Sequence, residues 1–195
     1  MRASIARAQH LIEQLLELSR LAPETPALGR EPVDLAGLVR SAVSAFSARA
    51  EERHIDLGAV VEGAPVVNAD AQQLAILLNN LVDNNLRHTP PGGRIDVGAS
   101  LRDGKRCLTV SDSGLGITEA ERLLVFDRFY RGPSARFAAQ AGDGANGVQP
   151  KGSGLGLAIV RAVADRHGAH VFLDESPPGG LRISVEFPED PTLPT

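Results

Sequence analysis

Two alternating runs meet at Asp103-Gly104 in the stretch GRIDVGASLRDGKRCLTVSDSG, residues 93–114, and this feature restricts the fold more than any other in the chain. An Asp-Gly pair between alternating runs is a strong signal for a two-residue hairpin, because both central positions of that turn need a left-handed backbone. An antiparallel sheet is therefore required. Along its second strand Leu108, Val110 and Asp112 point to the same face, so a carboxylate is carried to the edge of the core.

The remaining segments fall into place around that hairpin. Residues 1–22 have Ile5, Ala8, Ile12, Leu15, Leu16 and Leu18 at three- and four-residue steps and predict a helix, ended by Pro23 and Pro26. A second helix is expected from Pro32 to about Arg53. IDLGAVV and APVVN read as strands. Asp70 is the expected N-cap of a long helix running to His88, closed by Pro90 and Pro91. A short helix is expected near Thr118–Leu124, and an amphipathic one over Leu157–His167 stopped by Gly168. AHVFLDE and LRISVEF, joined through SPPGG, form a final hairpin. Residues 132–151 lose all periodicity and read as a loop. This order predicts an α+β two-layer sandwich, with one mixed sheet covered by helices on one face, and residues 1–22 standing apart as an arm.

Composition removes several function classes. The chain has 195 residues and a formal charge of −4 without a basic block, which disfavours a nucleic-acid backbone as partner. Its single cysteine, Cys107, excludes an internal disulfide framework and a cysteine-built metal site. No apolar run approaches the roughly 18–20 residues of a membrane span, so a cytoplasmic location is the expectation. Trp is absent and aromatics make up 4%, which leaves an aliphatic core.

Within LAILLNNLVDNNLRHTP, Leu74, Leu77, Leu78, Leu81 and Val82 share one arc at the helical period. Asn80, Asn84, Arg87 and His88 share a neighbouring stripe. Amide oxygens suit a hard cation such as Mg²⁺, which reaches proteins through few ligands plus substrate phosphates. A solvated helix edge is the alternative, but four asparagines in NNLVDNN run against helix propensity, and such violations concentrate at functional sites. Asn85 projects onto the apolar arc, where a buried hydrogen bond is expected.

Two glycine-rich boxes follow. In CLTVSDSGLGI the half-buried Asp112 needs a donor, which the exocyclic amine of a purine would supply; an ordinary Asp-Ser-Gly turn is the alternative. In KGSGLGLAIV, Gly152, Gly154 and Gly156 are spaced G-x-G-x-G rather than as the dinucleotide fingerprint. Glycine amides followed by a helix N-terminus make an anion site.

An Asn-rich helix, a strand-Asp-x-Gly-x-Gly turn, the segment FDRFYR and a second glycine box occur in that order. The combination resembles the catalytic ATP-binding domain of bacterial sensor histidine kinases, in the superfamily that includes gyrase B, Hsp90 and MutL. The resemblance spans about Pro32 to Pro188 and implies a Bergerat-type ATP-binding fold. It implies ATP and Mg²⁺ as ligands, with Asn84 on the metal and Asn80 beside the phosphates as a catalytic group. Arg87 would be a basic phosphate contact and His88 would lie beside the nucleotide. Asp112 would accept from the adenine amino group, within a box that includes Gly114, Gly116 and Ile117. FDRFYR would supply Phe126 and Phe129 as loop anchors and Arg131, also catalytic, at the terminal phosphate; Arg87 and Arg131 as salt-bridged surface groups are the alternative, and both rings are expected to be core in either reading. The second glycine box would bind through Gly152, Ser153, Gly154, Leu155, Gly156 and Leu157, with Lys151 a candidate phosphate contact. Residues 132–151 would be the ATP lid.

The same resemblance divides the chain. Residues 1–22 are similar to the end of the second helix of a dimerisation and phosphoacceptor hairpin, 23–31 form a linker, 32–188 the catalytic domain and 189–195 a tail. None of His10, His54, His88, His167 or His170 sits in the phosphoacceptor motif, His-Glu-Leu-Arg-x-Pro. The chain is therefore expected to be part of a longer, membrane-anchored homodimer that moves the γ-phosphoryl of ATP to a histidine and on to a response-regulator aspartate. By itself it is expected to bind Mg-ATP without autophosphorylating, and to be monomeric. An ATP-hydrolysing switch of the gyrase or Hsp90 type would place a glutamate base early in the Asn-bearing helix, but the residue before Asn80 is Asn79. A non-catalytic module is the third reading.

Overall fold

The computed structural model describes residues 29–102, 104–132, 153–177 and 179–190. The arm over 1–22, most of the linker, and nearly all of the loop over 132–151 lie outside the described residues.

Strand β1 (Glu31–Asp34) leads into helix α1 (Leu35–Glu52). The helix begins at Leu35 rather than at Pro32, because residues 31–34 pair antiparallel with strand β3 (Val66–Ala69), from Glu31↔Ala69 to Asp34↔Val66. Pro32, with no N–H to give, is tolerated because both strands of a two-stranded sheet are edges. Asp34 then caps the helix by accepting from the Ala36 N–H at 2.9 Å. The same pairing corrects the expectation of a single sheet: the APVVN run belongs to this small separate one.

The main sheet has five strands in the order β2 (Asp56–Glu62), β4 (Arg94–Arg102), β5 (Lys105–Asp112), β7 (Leu181–Phe187) and β6 (His170–Glu175). Strands β4 and β5 are the hairpin expected around Asp103-Gly104, running from Ile95↔Asp112 to Arg102↔Lys105. Strands β6 and β7 form the second hairpin. Among the described strands, β2 alone runs parallel to its neighbour, as a crossover through β3 and a helix demands.

That helix, α2 (Ala71–His88), starts where the Asp70 carboxylate accepts from the Gln73 N–H at 3.0 Å. It is followed by α3 (Glu119–Arg122) and α4 (Gly156–Arg166), the latter stopped by Gly168 at φ +66°. Thr118 and Glu121 close a reciprocal capping box on α3. On the helix-facing side of the sheet, Ile95, Val97, Leu108, Val110, Ile183 and Val185 are fully buried. They meet Leu74, Leu77, Leu78 and Leu81 of α2 and Ile159, Val160 and Val163 of α4, each such side chain contributing about 1.5–3 kcal/mol on burial. On the opposite side Asp96, Thr109 and Ser184 stay partly exposed. The apolar arc of α2 thus faces the sheet, and its polar stripe is left at the border with α4.

Candidate functional site

Along that border runs an open cleft. Helix α2 lines it with Asn80, Asp83, Asn84, Arg87 and His88, and the turn after β5 with Asp112, Leu115, Gly116 and Ile117. Glu121, Tyr130, Arg131 and Gly132 form one wall, Ser153, Gly154, Gly156 and Leu157 another, and Leu181 part of the floor. The Asn stripe, the Asp turn and the second glycine box therefore converge.

Asp112 sits at the bottom, 4% exposed. Its Oδ1 accepts from the Gly114 N–H at 2.7 Å and from the Leu181 N–H at 3.3 Å. Burial pushes its pKa up, against those two backbone donors, which pull it down. Gly180 lies so close that a β-carbon there would collide with the Asp112 backbone and carboxylate. Asp112 thus has one oxygen fixed by the protein and the other as its remaining acceptor.

On α2, Asn80 donates from Nδ2 to the Ile76 carbonyl at 2.9 Å. Its Oδ1 lies 3.3 Å from where a β-carbon on Gly156 would stand. Arg87 donates from Nε to Asp83 Oδ2 at 2.7 Å, and Arg49 of α1 binds Asp83 Oδ1 at 2.7 Å. Arg87 is thus both paired and cleft-lining, so its two readings combine. The protein around His88, followed by the Arg87, Arg53 and Arg131 charges, lowers its pKa, so the neutral ring is favoured at the cleft mouth.

Helix α4 enters the cleft with no side-chain N-cap. Ser153 Oγ accepts from the Leu155 N–H at 3.2 Å, and Gly154, Gly156 and Leu157 at the start of the helix line the cleft, where first-turn N–H groups have no intrahelical partner. Gly154 has φ +71°, and a β-carbon there would stand 2.8 Å from the Phe129 backbone. Only glycine fits.

Several expected site residues lie elsewhere. Leu155 is fully buried in the core rather than in the cleft, because the turn into α4 directs its side chain inward. Gly114 does not line the cleft and acts through its N–H on Asp112. Phe129 is 61% exposed at φ +65° and lies outside both the core and the cleft. Phe126 is half-buried, with the Arg161 guanidinium 5.8 Å over its ring. Neither ring is the core anchor expected. Lys151 and Gly152 lie outside the described residues. Conversely, Asp83, Glu121, Tyr130 and Leu181 line the cleft without having been singled out. The Thr-x-x-Glu capping box at 118–121 and the four-residue spacing of Asp83 and Arg87 were signals for two of them. Leu181 had none, since a distant strand delivers it.

A family model described as "Histidine kinase-, DNA gyrase B-, and HSP90-like ATPase" matches residues 69–191. The chain belongs to this ATPase family. It is 33% identical over 188 residues to the signal transduction histidine-protein kinase BaeS of Escherichia coli, covering 96% of this chain and 38% of that protein. It is 37% identical over 186 residues to the histidine-protein kinase/phosphatase MprB of a Mycobacterium species, covering 95% and 33%. The chain therefore spans well under half the length of these relatives. Among solved structures, full-length ShkA in complex with AMPPNP superposes with a TM-score of 0.77 at 28% identity over 96% of this chain and 37% of that one. The mycobacterial sensor histidine kinase MprB superposes with 0.68 at 32% identity over 83% and 99%. This member of the histidine kinase-like ATPase family is the ATP-binding domain of that kinase type.

Proposed function

We propose that the chain holds Mg-ATP in the cleft and presents its γ-phosphoryl group to a histidine carried by a phosphoacceptor hairpin. In the longer protein the group then passes to a response-regulator aspartate. The observation that carries this reading is the convergence of Asp112 with a free acceptor, the Asn80–Asn84 stripe, and the uncapped α4 N-terminus beside Gly154 around one cleft. An acceptor in an apolar floor suits a purine amino group, and uncapped helix N–H groups suit a polyphosphate. The two ends of the cleft therefore select the two ends of ATP.

The roles divide along the cleft. Asp112 and its glycine-supported turn (Gly114, Gly116, Ile117) hold the base, with His88 beside it. Arg87, held by Asp83, neutralises phosphate charge. The residues from Ser153 to Leu157 form the phosphate end, with Leu155 shaping it through the bond of its N–H to Ser153 Oγ, and Phe129 supports their turn. Arg131 stabilises the transferring group, and Asn80 orients it from the α4 side. Asn84, an amide oxygen open to the cleft, fits a hard cation that keeps most of its ligands from phosphate and water. Mg²⁺, when bound there, would neutralise the polyphosphate. Residues 1–22 would end the hairpin's second helix, 23–31 link it to a catalytic unit of 32–188, 132–151 would cover the nucleotide with Lys151 and Gly152 at the phosphates, and 189–195 would be a tail. The longer protein would be a membrane-anchored dimer with this domain on the cytoplasmic side, and the domain alone a monomer that does not autophosphorylate.

Incubating the chain with γ-labelled ATP and a separately supplied phosphoacceptor hairpin tests this. Label on the hairpin histidine is the expected result. Inorganic phosphate release with no label on the hairpin would instead assign a hydrolytic switch.

A further inference from the structure

The five-stranded sheet ends in two edges of different character. On one side β2 carries acidic charges only, Asp56 and Glu62, so no register of that strand with itself sets opposite charges face to face. On the other side β6 pairs only with β7 among the described residues. Its outer face shows His170, Phe172 and Asp174, all exposed, with Phe172 47% accessible and its ring 6.4 Å from that of His170. Val171 and Leu173 face the other way and pack on the core. Edge strands are usually blunted by proline, lysine or a bulge. β6 has no proline and no lysine, and its register with β7 runs unbroken from His170↔Glu186 to Glu175↔Leu181.

The register also fixes which main-chain groups reach the free edge. The Ser176 N–H donates to the Gly180 carbonyl at 2.9 Å, one step beyond the Glu175↔Leu181 pair. His170, Phe172 and Asp174 therefore turn their N–H and C=O groups to β7, and Val171, Leu173 and Glu175 turn theirs outward. A strand that pairs with its own copy about a twofold axis must match residues of the same face. Centred on Phe172, β6 sets Val171 against Leu173 of the second copy, and both have outward groups to exchange. On the outer face the same centring sets His170 against Asp174 of the second copy. Phe172 meets its own counterpart in a narrow, non-hydrogen-bonded pair, where side chains come closest. Within one chain Glu186 lies beside His170 and Arg182 beside Asp174. Each row across the joined sheet then reads Glu186, His170, Asp174, Arg182, with no like charges adjacent. Centring at Val171 or Leu173 instead sets Phe172 against His170 or Asp174 and loses that match.

We propose that β6 is an interface for a second copy of this chain, the two sheets joining edge to edge about Phe172 in an isologous pair. No residue of β6 lines the cleft, so the pair leaves the cleft open, and the inference does not depend on the ATP reading. One strand edge buries less than the roughly 1,200 Å² of a stable interface. The chain is therefore a monomer when dilute, as proposed above, and the pair forms at high concentration.

Sedimentation equilibrium across the micromolar to millimolar range tests this, and the average mass should climb towards that of a dimer. Phe172→Lys, at an exposed position, should abolish the climb. Val60→Lys, on the opposite edge at a residue 42% exposed, should not. His170→Glu sets an acid against Asp174 on both sides of the axis and should weaken pairing about 2- to 30-fold, whereas His170→Lys should strengthen it. Amide exchange on the parent chain supplies a readout that needs no variant. The Val171 and Leu173 N–H groups should gain protection as concentration rises, and that of Phe172, already turned to β7, should not change. A monomer mass up to millimolar concentration, a climb untouched by Phe172→Lys, or equal effects from the two His170 variants would overturn the inference. So would protection at Val171 and Leu173 that does not vary with concentration, since another part of the same chain would then cover the edge.

Discussion

The backbone N–H of Phe129 donates to the carbonyl of Gly154 at 2.8 Å, tying the FDRFYR segment to the second glycine box. Both residues have positive φ, +65° at Phe129 and +71° at Gly154. The turn of the second glycine box is thus shaped by a contact with a segment distant in sequence. Gly154→Ala would set a methyl 2.8 Å from the Phe129 backbone in a conformation that costs non-glycine residues about 1–3 kcal/mol. Denaturant titration should show a loss of that order, and nucleotide affinity should fall more than in any substitution that leaves this turn in place.

Asp112→Asn should separate stability from function. The folded-state pKa of Asp112 lies above its unfolded value because burial disfavours the carboxylate. Its contribution to stability is therefore fully present below the unfolded pKa of about 4 and is lost as pH rises through the folded value, so at neutral pH the nucleotide-free protein carries a cost. The amide removes that cost while still accepting from Gly114 and Leu181. Thermal melts without nucleotide should rise by about 2–4 °C per kcal/mol recovered. ATP affinity should drop about 10- to 100-fold, since a charge-assisted hydrogen bond is lost.

His167 predicts the opposite pH dependence at the far end of α4. The ring is buried, with Nδ1 2.8 Å from the Val163 carbonyl and Nε2 accepting from the Asp70 N–H at 3.1 Å. This arrangement requires the neutral tautomer protonated on Nδ1. Burial lowers the folded pKa; the Val163 bond opposes the shift, and the Arg30 charge adds to it. The stability is present above the unfolded pKa of about 6.5 and is lost as pH falls through the folded value. Because Asp70 caps α2, acid should loosen the start of the cleft helix. Denaturant midpoints measured at neutral pH and below pH 6.5 should diverge in the parent, and diverge less in His167→Gln.

Asp83→Ala should leave the fold and remove one anchor of Arg87. Asp83 receives Arg49 and Arg87 at 2.7 Å each, so its loss loosens a cleft cation and costs about 1 kcal/mol of nucleotide affinity, a factor near five in Kd. Arg49→Ala, on a half-exposed partner, should cost less, in the range of about 0.2–1 kcal/mol typical of exposed pairs. Equal effects from the two would mean that Asp83 serves α1 packing rather than Arg87.

Asn84→Ala should abolish the Mg²⁺ dependence of ATP binding with an unchanged melting temperature in the absence of nucleotide. Titrations with and without EDTA decide it: a preserved Mg²⁺ effect removes Asn84 from the metal.

What the sequence determined by itself was local. The start of α2 at Asp70, the division of that helix into an apolar arc and an Asn stripe, the hairpin turn at Asp103-Gly104 and the stop at Gly168 each depend on residues within a turn or two of one another. Periodicity and capping are chemistry at that range. The motif order was likewise written in the chain, and with it the family. Tertiary structure decided the partners: residues 31–34 take Val66–Ala69 and so shorten α1, β2 runs parallel to β4, Leu181 and Gly180 close on Asp112, and Phe129 turns outward while Leu155 turns into the core. Pairing and packing between distant segments depend on which surfaces meet once the whole core has formed. No window of sequence contains that information, and for this reason much of the cleft's lining was legible one motif at a time while its floor was not.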